Sequence, residues 1–295
     1  VSLSRILGDF FTKGTPQGLI IHAENLSVLP LLPEASIDLI YIDPPFNTGK
    51  VQKRLTLRTQ RTAGAGDRTG FGGHRYHTTI ERTAAYQDTF EDYLSFLEPR
   101  LREAYRILKP TGSLYFHIDY REAHYCKVFL LDEIFGRENF LNEIIWAYDY
   151  GGRPKRRWAP KHDTIFLYAK DRQRYYFSTE EVERLPYMAP GLVSPEKAAR
   201  GKLPTDVWWH TIVPTNSREK TGYPTQKPLG ILRRIVAASA PKGGIVLDFF
   251  AGSGTTGVAA AQLGRRFILV DEHPLAYQIM QERLASVEVK CVANG

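Results

Sequence analysis

The stretch Ile37-Asp38-Leu39-Ile40-Tyr41-Ile42 is apolar at nearly every position. A strand that is apolar on both faces has to be covered on both sides, as the central strands of a parallel sheet flanked by helices are. The segments around it alternate in the same sense. Gly18–His22, Ser113–Ile118, Gly244–Asp248 and Arg266–Asp271 read as strands. Glu24–Leu32, Phe90–Leu108, Ala123–Phe135, Pro228–Ala240, Gly254–Leu263 and Leu275–Ala285 carry helical spacing, with Pro99 expected to kink a helix or to start one. Lys109-Pro110-Thr111-Gly112 reads as a turn, and the tail after Ser286 takes no assigned role. This alternation predicts an α/β fold with a mainly parallel sheet and helices on both faces.

Two regions depart from that rhythm. Residues 47–88 are rich in Gly, Arg and Thr without a stable period and read as a long loop, which inside a domain is functional or disordered. Residues 139–222 offer only short strand candidates, Asn142–Tyr148 and Thr164–Ala169, among aromatic, Pro and Arg residues, and read as a less regular insertion. Both are basic. Residues 50–82 carry eight basic side chains, Arg54, Arg58 and Arg61 among them, against Asp67 and Glu81. Arg153, Lys155, Arg156 and Arg157 follow Tyr148 and Tyr150 and precede Trp158. Basic residues interleaved with aromatics suit phosphate contact and base stacking, although a solvated loop would look the same. The net charge of +7 over 295 residues points mildly the same way.

Composition excludes several classes. No apolar run approaches the ~18 residues of a membrane span, and the first residues show no secretory pattern, so a cytoplasmic protein is expected. Cys126 and Cys291 form no ligand spacing, and His74-x-x-His77 lacks a third ligand, so no metal is expected.

Ile245 to Gly257 joins a strand, a glycine turn and a helix start. Glycines admit backbone angles and close approach that side chains forbid, and the helix start offers N–H groups to an anion. Gly252, Gly254 and Gly257 satisfy the spacing of a dinucleotide site, a weak pattern alone. Asp248 ends the strand, separated by three residues from the first glycine, where it suits an ammonium group better than a pyrophosphate. Asp271, at the end of the next strand, stands where an acid would bridge ribose hydroxyls. The arrangement fits the amino-acid and ribose parts of S-adenosylmethionine, while a structural turn capped by Asp248 is the plainer reading.

Asp43-Pro44-Pro45-Phe46 follows the first apolar strand directly. The lone pair of an exocyclic amino group is delocalised into its ring, and acceptors for its hydrogens localise that pair. Asp43 supplies a carboxylate and Pro44 a carbonyl that its ring holds in place. Phe46 can stack on a base, and Pro45 stiffens the turn between them. Alone, the tetrapeptide is equally a rigid loop with Asp43 as a cap.

Together the two motifs resemble the bacterial DNA amino-methyltransferases. The likeness extends to His22-Ala23-Glu24-Asn25-Leu26, Leu108-Lys109-Pro110-Thr111-Gly112-Ser113 and Thr225-Gln226-Lys227-Pro228, and covers nearly all of 18–285 outside the two irregular regions. The catalytic motif precedes the cofactor motif, the order of the β class. The resemblance implies a circularly permuted Rossmann-like methyltransferase fold dependent on S-adenosylmethionine, with an irregular target-recognition insertion. It places Asp43, Pro44, Pro45 and Phe46 on the base. Asp248, Phe250, Ala251, Gly252, Gly254, Thr255 and Thr256 would cradle the methionine part, and Asp271 the ribose. Glu24 stands where the family usually has Asp near the adenine of the cofactor, and Lys227 near the methionine carboxylate.

The implied reaction is methylation of a flipped base in double-stranded DNA, at adenine N6 or, by the same geometry, cytosine N4, with adenine favoured. Methylation at C5 would need a cysteine nucleophile, which neither Cys126 nor Cys291 resembles. Residues 1–144 and 223–295 are expected to form the catalytic and cofactor-binding domain, 47–88 a mobile loop, and 145–222 the target-recognition region. The family leaves open a homodimer, a cognate restriction endonuclease and nucleoid association. An oxidoreductase and a non-catalytic DNA-binding protein are the competing readings.

Overall fold

A computed structural model describes residues 2–46, 92–214 and 216–293 and, between 50 and 88, the backbone of three strands. The main sheet has nine strands in the order β12-β1-β11-β10-β2-β6-β8-β7-β9. These are β1 (Gly18–His22), β2 (Ile37–Ile42), β6 (Leu108–Ile118), β7 (Phe140–Ala147), β8 (His162–Ala169), β9 (Val207–Trp209), β10 (Ile245–Asp248), β11 (Arg266–Asp271) and β12 (Val289–Ala293). A second sheet contains β3 (Lys50–Thr62), β4 (Arg68–Thr69) and β5 (Arg75–Asp88).

The strand residues divide between two apolar layers with the period of two that a pleat imposes. Leu19, Ile21, Ile40, Ile42, Leu114, Phe116, Leu247, Ile268 and Val270 belong to one layer. Ile20, Leu39, Tyr41, Tyr115, Val246, Phe267 and Leu269 belong to the other. The first layer is closed by α1 (Leu3–Lys13), α2 (Asn25–Val28), α3 (Tyr93–Ile107), α4 (Ala123–Cys126) and α5 (Asp132–Phe135), the last two joined by a π-helical segment at Lys127–Leu131. The peripheral α6 (Pro195–Arg200) buries no residue. The second layer is closed by α7 (Leu229–Ser239), α8 (Thr255–Gln262) and α9 (Pro274–Arg283). Helices on both faces are as expected.

Five expectations need correction. Residues 47–88 are not without regular structure, because β3 and β5 pair antiparallel from Lys50↔Asp88 to Thr62↔Arg75. The 139–222 segment is more regular than its sequence reads. β8 pairs antiparallel with β6, β7 antiparallel with β8 and β9 parallel with β7, so three of its strands extend the main sheet and make it mixed. The tail has a role, since β12 pairs parallel with β1 along its whole length. Pro99 does not start a helix but lies inside α3, which begins at Tyr93 after its N-cap Asp92, whose side chain accepts from Ser95 N. The anticipated turn at 109–112 is a break in register within β6, between Ile37↔Leu108 and Leu39↔Ser113.

Candidate active site

β1, β11, β10 and β2 are parallel neighbours, so their carboxyl ends share one edge of the sheet. The chain passes from β10 to β11 on one side and from β2 to β6 on the other. Where connections diverge in this way a crevice opens at the strand ends. A cavity of 420 Å3 lies there, lined by Glu24, Asp43, Phe46, Lys227, Asp248 and Asp271 among others.

On the β10 side the glycine turn is built as its sequence requires. Gly252 and Gly254 have φ of 50° and 71°, in the left-handed region. A Cβ on Gly257 would lie 2.6 Å from Leu269 Cδ1, so that glycine lets α8 pack closely on β11. Asp248 is almost fully buried and accepts from Thr256 Oγ1 at 2.6 Å and Phe250 N at 3.1 Å. Burial raises its carboxyl to about 7 against those two bonds, with Asp43 and Asp271 adding to the rise. A buried carboxyl held this way beside a cavity gains from an incoming cation. Asp271 accepts from Gly252 N at 2.7 Å and His273 N at 2.9 Å, and burial raises its pKa as well. Phe250 faces Phe96 with ring centroids 6.1 Å apart, and Ala251 N donates to Val270 O. Thr255 Oγ1 donates to Lys227 O at 3.2 Å. Both threonine hydroxyls therefore have partners within the protein, which leaves the first-turn N–H groups of α8 as the donors for a carboxylate.

Glu24 caps α2 through Ser27 N and accepts from Arg100 Nη2 at 2.7 Å. Arg100 Nε also donates to Asn25, whose Nδ2 reaches Phe249 O. This chain ties the start of α2 to the end of β10.

On the β2 side, Asp43 leaves the strand with one oxygen engaged and one free. Lys227 Nζ donates to Oδ2, while Oδ1 is buried without a hydrogen-bond partner among the described residues. Lys227 also lines the cavity, with its ammonium on Asp43 and 4.9 Å from the Phe46 ring centre. Pro45 O accepts from Tyr93 OH at 2.5 Å, which anchors the tetrapeptide to α3. Thr225, just ahead of Lys227, has φ of 49°, and Gln226 fixes that turn by accepting from Thr221 and donating to Glu219 O.

Beneath the tetrapeptide, fully buried His117 accepts or shares a hydrogen bond with Tyr41 OH at 2.7 Å through Nδ1. Its Nε2 meets Asp163 Oδ2 at 3.2 Å, and Tyr148 OH donates to Asp163 Oδ1 at 3.0 Å. Burial works to raise the Asp163 carboxyl, but His117, Lys227 and Tyr148 outweigh it and hold the pKa below the usual value. The motif reading missed Tyr41, Arg100, His117 and Asp163. His117 alone left a signal, a titratable residue inside the otherwise apolar strand 113–118.

Arg153, Lys155, Arg156 and Arg157 are exposed and lie outside the cavity lining, with Arg153 paired to Asp149 at 3.2 Å. Trp158 beside them is 96% exposed. The side chains of Arg54, Arg58 and Arg61, and the His74-x-x-His77 pair, lie outside the described residues.

A family model described as DNA methylase matches residues 37–282. The type II methyltransferase M.HpaI of Haemophilus parainfluenzae is 30% identical over 267 residues, 90% of this chain and 74% of that protein. The DNA adenine methyltransferase YhdJ of Escherichia coli K12 is 31% identical over 271 residues, 88% of this chain and 79% of that protein. Among solved structures, the M1.HpyAVI–SAM complex aligns with a TM-score of 0.55 at 21% identity, over 90% of this chain and all of that one. The cytosine-N4-specific PvuII DNA methyltransferase aligns with a TM-score of 0.59 at 15% identity, over 95% of each chain. These two likenesses concern the fold.

Proposed function

This chain belongs to the DNA methylase family, as an S-adenosylmethionine-dependent DNA amino-methyltransferase, and we propose that its target is the N6 amino group of an adenine flipped out of the duplex. The observation that carries the site assignment is Asp43 Oδ1, a buried acceptor without a partner among the described residues, at the cavity where the two motif strands meet. An amino N–H is the group that would satisfy it.

The residues fit the cofactor. Asp248 would hold the α-ammonium, the first-turn N–H groups of α8 the carboxylate, and Asp271 the ribose. Phe250 and Glu24 line the same cavity, and Glu24 would lie near the cofactor's adenine. When bound, S-adenosylmethionine supplies an electrophilic methyl group on a sulfonium whose positive charge disappears as the carbon–sulfur bond breaks. Asp43 Oδ1 and Pro44 O accept the two amino hydrogens and turn the nitrogen lone pair toward that methyl group. Phe46 stacks on the base and offsets part of the cost of unstacking, about a few kcal/mol. The nitrogen gains a carbon and loses a proton, and Asp43 Oδ1 is placed to take it. Positioning supplies much of the acceleration.

The exposed Arg153, Lys155, Arg156 and Arg157 with Trp158 support 145–222 as the target-recognition region, and the basic content of 47–88 supports a second contact to DNA through Arg54, Arg58 and Arg61. Adenine is favoured by the adenine-specific relative and by Asp at the first position of the tetrapeptide. Labelled S-adenosylmethionine, genomic DNA lacking prior methylation, nucleoside digestion and mass analysis test the whole reading. N6-methyladenine is expected. N4-methylcytosine would overturn the choice of base, and no labelled nucleoside would overturn the activity.

A further inference from the structure

A histidine with no solvent exposure, inside a strand and bonded at both ring nitrogens, is an unusual component for an apolar core. Burying an imidazole costs free energy unless both nitrogens find partners. Here the partners come from three elements: Tyr41 from β2, Asp163 from β8, and through Asp163 the hydroxyl of Tyr148 just beyond β7. The same ring touches the tetrapeptide. Nδ1 lies 3.8 Å from Asp43 Oδ1, and the ring centre lies 5.8 Å from that of Phe46 and 5.6 Å from that of Trp146. His117 therefore abuts both the free acceptor oxygen and the stacking ring, while no atom of it lines the cavity.

We propose that His117, oriented by Asp163, is a positioning residue for methyl transfer, holding Asp43 Oδ1 and the Phe46 ring where the flipped base meets them. This rests on the methyltransferase reading. The Asp163 carboxylate selects the tautomer with the proton on Nε2, which leaves Nδ1 to accept from Tyr41 OH. Tyr41 and His117 then occupy each other, and neither donates to Asp43 Oδ1. That oxygen stays open for the amino group. The opposite tautomer would present an Nδ1–H on the Asp43 side and offer Oδ1 a competing donor. The pair also joins Tyr148 and Trp146, at the entry to the recognition region, to the catalytic loop through a short run of contacts.

The test compares wild type with Asp163→Asn, His117→Gln and Tyr41→Phe, measuring single-turnover methylation of DNA, S-adenosylhomocysteine affinity and Tm. Asp163→Asn keeps the shape but removes the charge that selects the tautomer. It is expected to lower kcat about 10²-fold, the scale of a misplacement near 1 Å, with KM for DNA and S-adenosylhomocysteine affinity within twofold of wild type. Tyr41→Phe, the variant least disturbing to packing, is expected to lose roughly tenfold, and Asp163→Glu to recover part of the Asp163→Asn loss. The pH profile of kcat should shift in Asp163→Asn, with Tyr41, Asp43, Tyr148 and Lys227 as the other titratable groups facing this cluster. Equal kcat in all variants overturns the proposal, as does a loss that follows Tm and cofactor affinity together. A wild-type protein that methylates no base overturns the functional reading and this proposal with it, whereas active wild type with unaffected variants removes this proposal alone.

Discussion

The two sides of the cavity are built differently. On the cofactor side, β1, β11 and β10 are parallel, short and regular, and each hands its acid to the cavity at a strand end: Glu24 just after β1, Asp271 and Asp248. Those acids hold backbone N–H groups or a neighbouring arginine, so the site is largely formed by the turns themselves. On the base side, β2 pairs parallel with β6, which in turn borders the antiparallel β8, and the site depends on side chains that meet from far apart in sequence. Lys227 reaches Asp43, and Asp163 reaches His117. A cofactor common to many enzymes can be held by backbone geometry, whereas the base side is assembled by contacts between distant side chains.

The largest expected effect isolates the base side. Asp43→Ala should lower turnover by about 10³-fold or more, within the range for removing a group that handles the transferred proton, while S-adenosylhomocysteine still binds within a few-fold. A parallel loss of cofactor binding would erase the division between the two sides. Asp248→Asn probes the other side and should weaken S-adenosylhomocysteine by about 10²-fold, as the loss of a buried charge partner does, measured by calorimetry.

Acidity sharpens the same contrast. The pKa of Asp248 is raised to about 7 in the folded protein from 3.8, so between those values the folded state holds the extra proton and stability of the cofactor-free protein falls as pH rises. Its Tm should drop from pH 6 to pH 8, and Asp248→Asn should remove that drop. Cofactor affinity should run the other way and weaken below pH 7, because the ammonium needs the charged carboxylate. Replacing Arg153, Lys155 and Arg156 together by alanine should weaken DNA binding about tenfold and reduce the salt slope by up to about 3, with S-adenosylhomocysteine affinity unchanged. An unchanged slope would remove that cluster from the DNA surface. The smallest effect expected is from Glu24→Ala, which removes the α2 cap and the Arg100 pair at a cost of about 1 kcal/mol in denaturant unfolding.

The cofactor side was also the legible one. β1 and β11 fall on the expected residues and β10 within one, because continuous apolar runs between turn residues admit few other readings. The adjacency of β10 and β2 follows from motif order only through the family resemblance, and the sheet pairing supplies it directly. β12 was missed because an edge strand keeps only one side covered, and Lys290 interrupts its short apolar run. β3 and β5 were missed because pairing over thirteen residues depends on a partner strand and leaves no apolar alternation to find. The Lys227–Asp43 and His117–Asp163 contacts span 184 and 46 residues, and no spacing rule reaches that far.

Strand order has a consequence for how the chain reaches this state. β1 and β2 are near neighbours in sequence, yet β11 and β10, from more than two hundred residues later, lie between them. Until those late strands arrive, the early pair has to keep a gap two strands wide, roughly 14 Å between β1 and β2 centre to centre in the finished sheet at ~4.8 Å per spacing. Closing it is a non-local event with a large loop-entropy cost, of the kind that makes folding slow. The strand that delivers Asp43 therefore acquires its cofactor-side neighbour late. Cutting the backbone between β9 and α7 would turn that closure into an association of two fragments, with a rate set by their concentration.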